Sequence, residues 1–393
     1  MKRFAIAAAS LLALAACGGA DTPAEGRAEF AAKAKGDIVI AAAWPWKAHP
    51  DIRFGEGMEM ALDEVNAAGG IGGRKLRLLR EDDQESVDEG LMVAQRIARN
   101  PEVVAVIGHL QSFVTVPAAA TYDQAGVILI SPVSTSPELT APGYRHVFRM
   151  VNTDPQMGRE MADEAAQRGY RNVAVYHVRN SYGYALAQAF STQAQKNGLA
   201  VAAQASYEAD QAPGGRGFAA TLERWKLLGN LDAVFVAGEV PLAGELIAQI
   251  RRAGITIPIL GTDAMSTPEL LSTGGPATEG TIVPTFFHPD ENRPAVRRFV
   301  EAFRARYKAE PDPGSALGYD AVRVLAEAMR RANTSSPAVV ADTMRGLRGF
   351  EGVTGAFSFG PNGDLATPRV VKAVVRNGRF AFLPHAAAPA PAR

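Results

Sequence analysis

Cysteine is almost absent: Cys17 is the only one in 393 residues. No disulfide can form within the chain, and no thiolate cluster is available for zinc. Aromatic residues are sparse at 7%, and only three are Trp, so an aromatic in a functional loop stands out. Net charge is missing as well. The 41 Lys and Arg balance 41 Asp and Glu, which excludes the basic footprint of a nucleic-acid binder. No apolar run reaches the roughly 20 residues that a membrane-spanning helix needs. The sequences GxxxxGK[ST] and GxSxG do not occur. The six histidines (His49, His109, His146, His177, His288 and His385) show no metal-ligand spacing and read as surface or loop residues. No enzyme constellation, metal or cofactor is expected.

What is present begins at the N-terminus. Met1-Lys2-Arg3 is a short cationic start, and an apolar stretch from Phe4 to Ala16 ends in Leu14-Ala15-Ala16-Cys17. A basic segment, a short apolar segment and small residues before a cut site describe a secretory signal. Leu-Ala-Ala-Cys also resembles the lipobox of bacterial lipoproteins. The resemblance implies a signal peptide over 1–16, cleavage before Cys17, and lipid on that cysteine. Removing 16 residues leaves 377, with 39 basic against 41 acidic, a length that suggests two domains. Residues 17–36, rich in Gly, Ala, Pro and charge, read as a flexible tether. Residues 384–393 read as a disordered tail.

Between these ends, short β-type runs alternate with helical patterns. Strands are expected at 37–41, 76–79, 103–107 and 127–130, with helices at 54–66, 87–98 and 114–124. The rhythm restarts after Asp154, with helices at 154–167, 185–196, 218–228 and 243–253 and strands at 173–176, 199–203, 233–236 and 258–260. Such alternation implies βαβ units on parallel sheets, so the fold class is α/β with two doubly wound lobes. Helical segments at 293–307, 318–332 and 337–345, then a β-hairpin region, suggest that the chain returns to each lobe. Several crossings would make a hinge. The expected division is 37–151 and 286–350 for lobe 1, and 152–285 and 351–383 for lobe 2. Gly69-Gly70-Ile71-Gly72-Gly73 follows a helix and precedes a strand, the wrong order for a phosphate cradle.

Two hydroxyl-rich loops each follow a strand: Gly108-His109-Leu110-Gln111-Ser112 and Ser131-Pro132-Val133-Ser134-Thr135. Ligands of open α/β sheets collect outside the carboxyl ends of strands. Hydroxyls with free amides at a helix start can seat a carboxylate. From spacing alone, Ser112 and Thr135 read equally well as helix N-caps.

Asp63-Glu64-Val65-Asn66-Ala67-Ala68-Gly69-Gly70, Val106-Ile107-Gly108-His109-Leu110-Gln111-Ser112, Ile130-Ser131-Pro132 through Leu139-Thr140, Gly318-Tyr319-Asp320-Ala321 and Gly360-Pro361-Asn362-Gly363-Asp364 together resemble the Leu/Ile/Val-binding type of ABC-transporter solute-binding proteins. The resemblance runs from Asp37 to about Phe382. It implies two lobes closing on a small ligand, which is then delivered to an inner-membrane ABC permease. It also implies a monomer in the periplasm, membrane-held through Cys17, with no nucleic-acid partner and no enzymatic activity. Ser112 and Thr135, with backbone near Val133, would hold an α-carboxylate. Tyr182 would face the ligand, and Asp263 would take the α-ammonium.

Two departures from the leucine-binding pattern stand out. Glu239 replaces an aromatic residue, adding a carboxylate near Asp263. Trp44 and Trp46 occupy the first loop, where one could cap the pocket or stack on a cation, or else pack under the loop. A cationic, amide-bearing or amine ligand is therefore an alternative to leucine. A sensing or peptidoglycan-synthase-regulating lipoprotein of the same fold is the alternative to transport. Which membrane would hold the lipid stays open, because Gly18 is not the Asp of inner-membrane retention.

Overall fold

The computed structural model describes residues 22–208 and 216–384; the expected signal peptide over 1–16, Cys17, His385 and the rest of the expected tail beyond Pro384 lie outside that range. Lobe 1 holds a parallel sheet of β1 (Ile38–Trp44), β2 (Leu76–Asp82), β3 (Val103–Gly108), β4 (Ile128–Ser131) and β5 (Val147–Arg149), ordered β2-β1-β3-β4-β5. Every residue of β1, β3 and β4 is buried, as expected of strands covered on both faces. Helices α2 (Phe54–Ala67), α3 (Val87–Arg99) and α4 (Ser112–Gln124) make the crossovers, joined later by α10 (Pro294–Tyr307), α11 (Pro313–Ala332) and α12 (Pro337–Arg345). Gly57 lets α2 and α11 close up, since a Cβ there would lie 1.9 Å from the Ser315 carbonyl oxygen.

Lobe 2 repeats the plan with β6 (Asn172–Val178), β7 (Ala200–Tyr207), β8 (Ala233–Ala237), β9 (Ile259–Leu260) and β10 (Ile282–Thr285), all parallel. Two antiparallel strands, β13 (Val371–Arg376) and β14 (Arg379–Leu383), extend it to the order β14-β13-β10-β9-β8-β6-β7. Helices α5 (Asp154–Gln167), α6 (Ser181–Lys196), α7 (Arg216–Leu228), α8 (Leu242–Arg252) and α9 (Pro268–Gly274) cover it. Each sheet is sandwiched between two apolar clusters, which is the expected doubly wound α/β arrangement.

Three expectations change. First, residues 351–365 belong to lobe 1, where a small hairpin of β11 (Phe350–Glu351) and β12 (Ala356–Phe357) sits. Phe357 and Phe359 are buried in the lobe 1 core, Phe359 with its ring edge-on to Phe148. Asp320 accepts hydrogen bonds from the amides of Val353 and Thr354. The third crossing thus falls between Leu365 and Val371, not at 351. Second, the segment read as a tether contains helix α1 (Pro23–Lys33). Thr22 caps it in a reciprocal box with Glu25, and Pro23 opens its first turn. Arg27, 2% exposed, donates to the carbonyls of Ile97, Ala98, Asn100, Val103 and Ala125. All but the Val103 carbonyl, which opens β3, lie at the C-terminal ends of α3 and α4, where the helix dipoles favour a cation. Third, His109, His146, His177 and His288 are buried rather than superficial. His109, for example, pairs with Asp83 at 2.6 Å and Tyr122 at 3.1 Å.

Candidate ligand-binding site

The carboxyl ends of the two sheets carry complementary chemistry. In lobe 1, β3 and β4 are neighbours, so the loops that follow them are side by side. Ser134 donates its hydroxyl to Ser112 Oγ at 3.0 Å, and the Ser136 amide reaches the same oxygen at 3.4 Å. Ser112 opens α4, whose N-terminal amides point out of the helix end. It is not the cap, because Gln111 occupies that position and makes no side-chain cap bond. Thr135 is 4% exposed, and Val133, half-buried, packs against the lobe 1 core. The loop is fixed from below by Arg149, fully buried, which donates to the carbonyls of Ser134 and Ser136, to Thr140 Oγ1 and to Asp364 Oδ1 at 2.7 Å. The result is an uncharged, donor-rich seat suited to a carboxylate.

Lobe 2 is acidic. Tyr182, in the first turn of α6, donates its hydroxyl to Asp263 Oδ1 at 2.8 Å. Asn180 caps α6 and also reaches Glu239 Oε1 at 3.3 Å. Burial raises the Asp263 carboxyl above the usual range, with the Tyr182 hydroxyl working against it. Burial also raises Glu239; Asn180 opposes the rise, while Asp263 and Glu85 reinforce it. Tyr182 is pushed well above its ordinary value by burial and then by Asp263.

The floor of the cleft adds a residue that motif reading passed over. Asp154 opens α5 just past the first crossing, and its amide donates to the Thr135 carbonyl at 3.0 Å. It is 3% exposed, and its Oδ1 has no hydrogen-bond partner. Burial, then Asp263 and Glu239, push its carboxyl up to about 7 against the pull of Thr135 and Arg149. On the lobe 1 rim, Glu85 accepts from Gln111 at 2.6 Å and meets His49 Nε2 at 3.1 Å. The His49 contact holds Glu85 below the usual carboxylate range, and Glu85 raises His49 in return. Glu269, across the cleft in α9, adds to that rise.

The two tryptophans do not join these residues. Trp44 is 1% exposed and stacks on Phe54 with centroids 4.0 Å apart, deep in the lobe 1 core. Trp46 does stack on a cation, but the cation is Arg80 of this chain, 4.8 Å from the ring centroid. Its indole N–H is spent on the Glu81 carbonyl at 2.9 Å. Both rings are thus committed to lobe 1 packing, because β1 and β2 place them beside α2 and not at the mouth. Asp154, Ser134, Asn180 and Arg149 enter in their place. Ser134 belongs to the hydroxyl-rich loop already singled out; the other three are marked in sequence only by position, each within a few residues of a strand end or a crossing.

The comparisons agree with this architecture. The sequence profile described as periplasmic binding protein matches residues 50–378. An amino acid binding protein of Pseudomonas aeruginosa is 34% identical over 335 residues, 84% of this chain and 87% of the relative. A Leu/Ile/Val-binding protein homolog of Brucella suis is 32% identical over 349 residues, 87% of this chain and 91% of the relative. Among solved structures, an ABC transporter substrate-binding protein from Desulfitobacterium hafniense in complex with Leu superposes with a TM-score of 0.81. It is 36% identical and covers 88% of this chain and all of its own. A branched-chain amino acid transporter substrate-binding protein from Streptococcus pneumoniae in complex with isoleucine gives 0.78 at 27% identity, covering 88% and 97%. With two doubly wound lobes, a polar cleft between their carboxyl edges and relatives matched over most of their length, this chain belongs to the periplasmic binding protein family.

Proposed function

We propose that the protein captures a small α-amino acid or related amine between its lobes, outside the cytoplasm, and hands it to an ABC importer. The observation that carries this reading is the division of the cleft. Donors without charge line lobe 1 at Ser112, Ser134 and Thr135, and carboxylates paired with hydroxyl and amide donors line lobe 2 at Asp263 and Glu239. A zwitterion needs donors at one end and an acceptor at the other, and charge-assisted hydrogen bonds are the stronger kind. Binding, not bond-making, is the work assigned to such a site in this reading. The named ligands of the relatives are amino acids, in keeping with the same reading.

The finer points complete the proposal. Cys17 is the lipidation site, the mature protein is a monomer, and a permease recognises the ligand-closed form. A ligand at 1,000 times its Kd should add about 4 kcal/mol of stability. The test is a thermal-shift screen of amino acids and amines on the wild type and Asp263→Ala. Stabilisation of the wild type by an α-amino acid, lost in a variant that still folds, is expected. A screen in which no amino acid or amine raises the melting temperature defeats the reading. Metabolic labelling with an alkynyl fatty acid, present in the wild type and lost in Cys17→Ser, checks the anchor.

A further inference from the structure

Asp263 alone would answer one ammonium group, but this cleft holds more negative charge than one ammonium can answer. The order β9-β8-β6 sets three loops in a row. Asp263 follows β9, Glu239 follows β8, and Asn180 and Tyr182 follow β6. Adjacent strands lie about 4.8 Å apart, so Glu239 stands beside the Tyr182–Asp263 pair. Thr262 Oγ1, bonded to the Gly238 carbonyl at 2.6 Å, ties the two acidic loops together. Asp154, with its unpartnered, buried oxygen, lies against Thr135 on the other side. Among the described residues no Lys, Arg or His pairs with Asp263 or Glu239. Arg149, the one cation that draws on Asp154, is already bonded to Asp364. Glu85 cannot relieve Glu239, since it is itself acidic and is taken up by His49 and Gln111.

Closing the cleft on an aliphatic side chain would bury Glu239 without a counter-charge, a costly arrangement. Resting on the amino-acid reading above, we propose that the ligand is a dibasic amino acid, with its α-ammonium held by Asp263 and Asp154 and its side-chain cation held by Glu239. The Ser112, Ser134 and Thr135 seat then takes the carboxylate, and the two ammonium groups answer two of the three pocket carboxyls, which one ammonium could not.

Titration calorimetry on the full chain separates the possibilities, using L-lysine, L-ornithine, L-arginine, L-leucine, L-norleucine and cadaverine. A dibasic amino acid should bind at least about tenfold more tightly than norleucine, which keeps the chain length of lysine but lacks the amine, a difference near 1.4 kcal/mol. Cadaverine, a dication with no carboxylate, should bind more weakly than lysine. In Glu239→Gln the ratio of lysine to norleucine affinity should fall by about tenfold or more. Leucine or norleucine equalling every dibasic ligand would overturn the proposal while leaving the amino-acid reading intact. Cadaverine matching lysine, or an unchanged ratio in Glu239→Gln, would overturn it too. Failure of all six ligands would overturn this proposal, while the broader thermal-shift screen of amino acids and amines decides the amino-acid reading.

Discussion

Asp154 is the residue whose chemistry most rewards measurement. Its carboxyl is pushed up to about 7 by burial and by Asp263 and Glu239, against about 3.9 in an unfolded chain. The sign follows from which state holds more protons. Between about pH 4 and 7 the folded apo protein binds the extra proton, so apo stability falls as pH rises through that window. At neutral pH the penalty amounts to at most about 4 kcal/mol. Asp154→Asn should therefore melt higher than wild type at pH 8 and nearly level with it at pH 4, in calorimetric scans. A cationic ligand favours the ionised carboxylate, so affinity should strengthen from pH 6 to 8 in the wild type and flatten in Asp154→Asn. Calorimetry in buffers of differing ionisation enthalpy should then show proton release on binding. This residue was hidden in the sequence because nothing local marks it: an Asp in the first turn of a helix is ordinary. Ser112 and Thr135 were singled out only through the family resemblance, because a hydroxyl at a helix start reads equally well as an N-cap. Trp44 misled because a Trp at the end of a strand looks the same from sequence whether it faces the cleft or the core.

Elements were legible where their periodicity was strong. Helix α5, Asp154–Gln167, and helix α12, Pro337–Arg345, carry the boundaries read from the chain. Short or singly anchored elements were not legible. Strand β5 has three residues, too few to show alternation. Helix α1 has little amphipathic character, and what holds it is one guanidinium rather than an apolar stripe. Burial lowers the Arg27 guanidinium to about 10, which leaves it charged at neutral pH. Replacing it with Ala should leave several helix-end carbonyls without a donor and cost roughly 3 kcal/mol. Hydrogen exchange should localise the loss of protection to α1 and the ends of α3 and α4. The Arg149–Asp364 link joins the hydroxyl loop to the segment just before the third crossing. Arg149→Met should lower stability by about 3 kcal/mol and weaken ligand binding as the 134–136 loop relaxes. Arg149→Lys should recover part of the stability but less of the affinity, since one ammonium cannot span the same acceptors.

At the scale of the whole molecule, three crossings join the lobes, near 150–153, 285–287 and 366–370, and they make a hinge in which no single linker can swing freely. Ligand-driven closure is the expected response, since a ligand touching both lobes favours the state that brings them together. Small-angle scattering should register a smaller radius of gyration on saturation with the best ligand, and Asp263→Ala should not show it. The location of α1 has a further consequence. Arg27 grips the edge of lobe 1 opposite the carboxyl ends of its strands, and only four residues separate Cys17 from Thr22. With lipid on Cys17, the leash that precedes α1 would reach no more than about 18 Å. Lobe 1 would then be moored with its back to the bilayer and would act as the stator, while lobe 2 swings as the rotor over a cleft that opens away from the lipid.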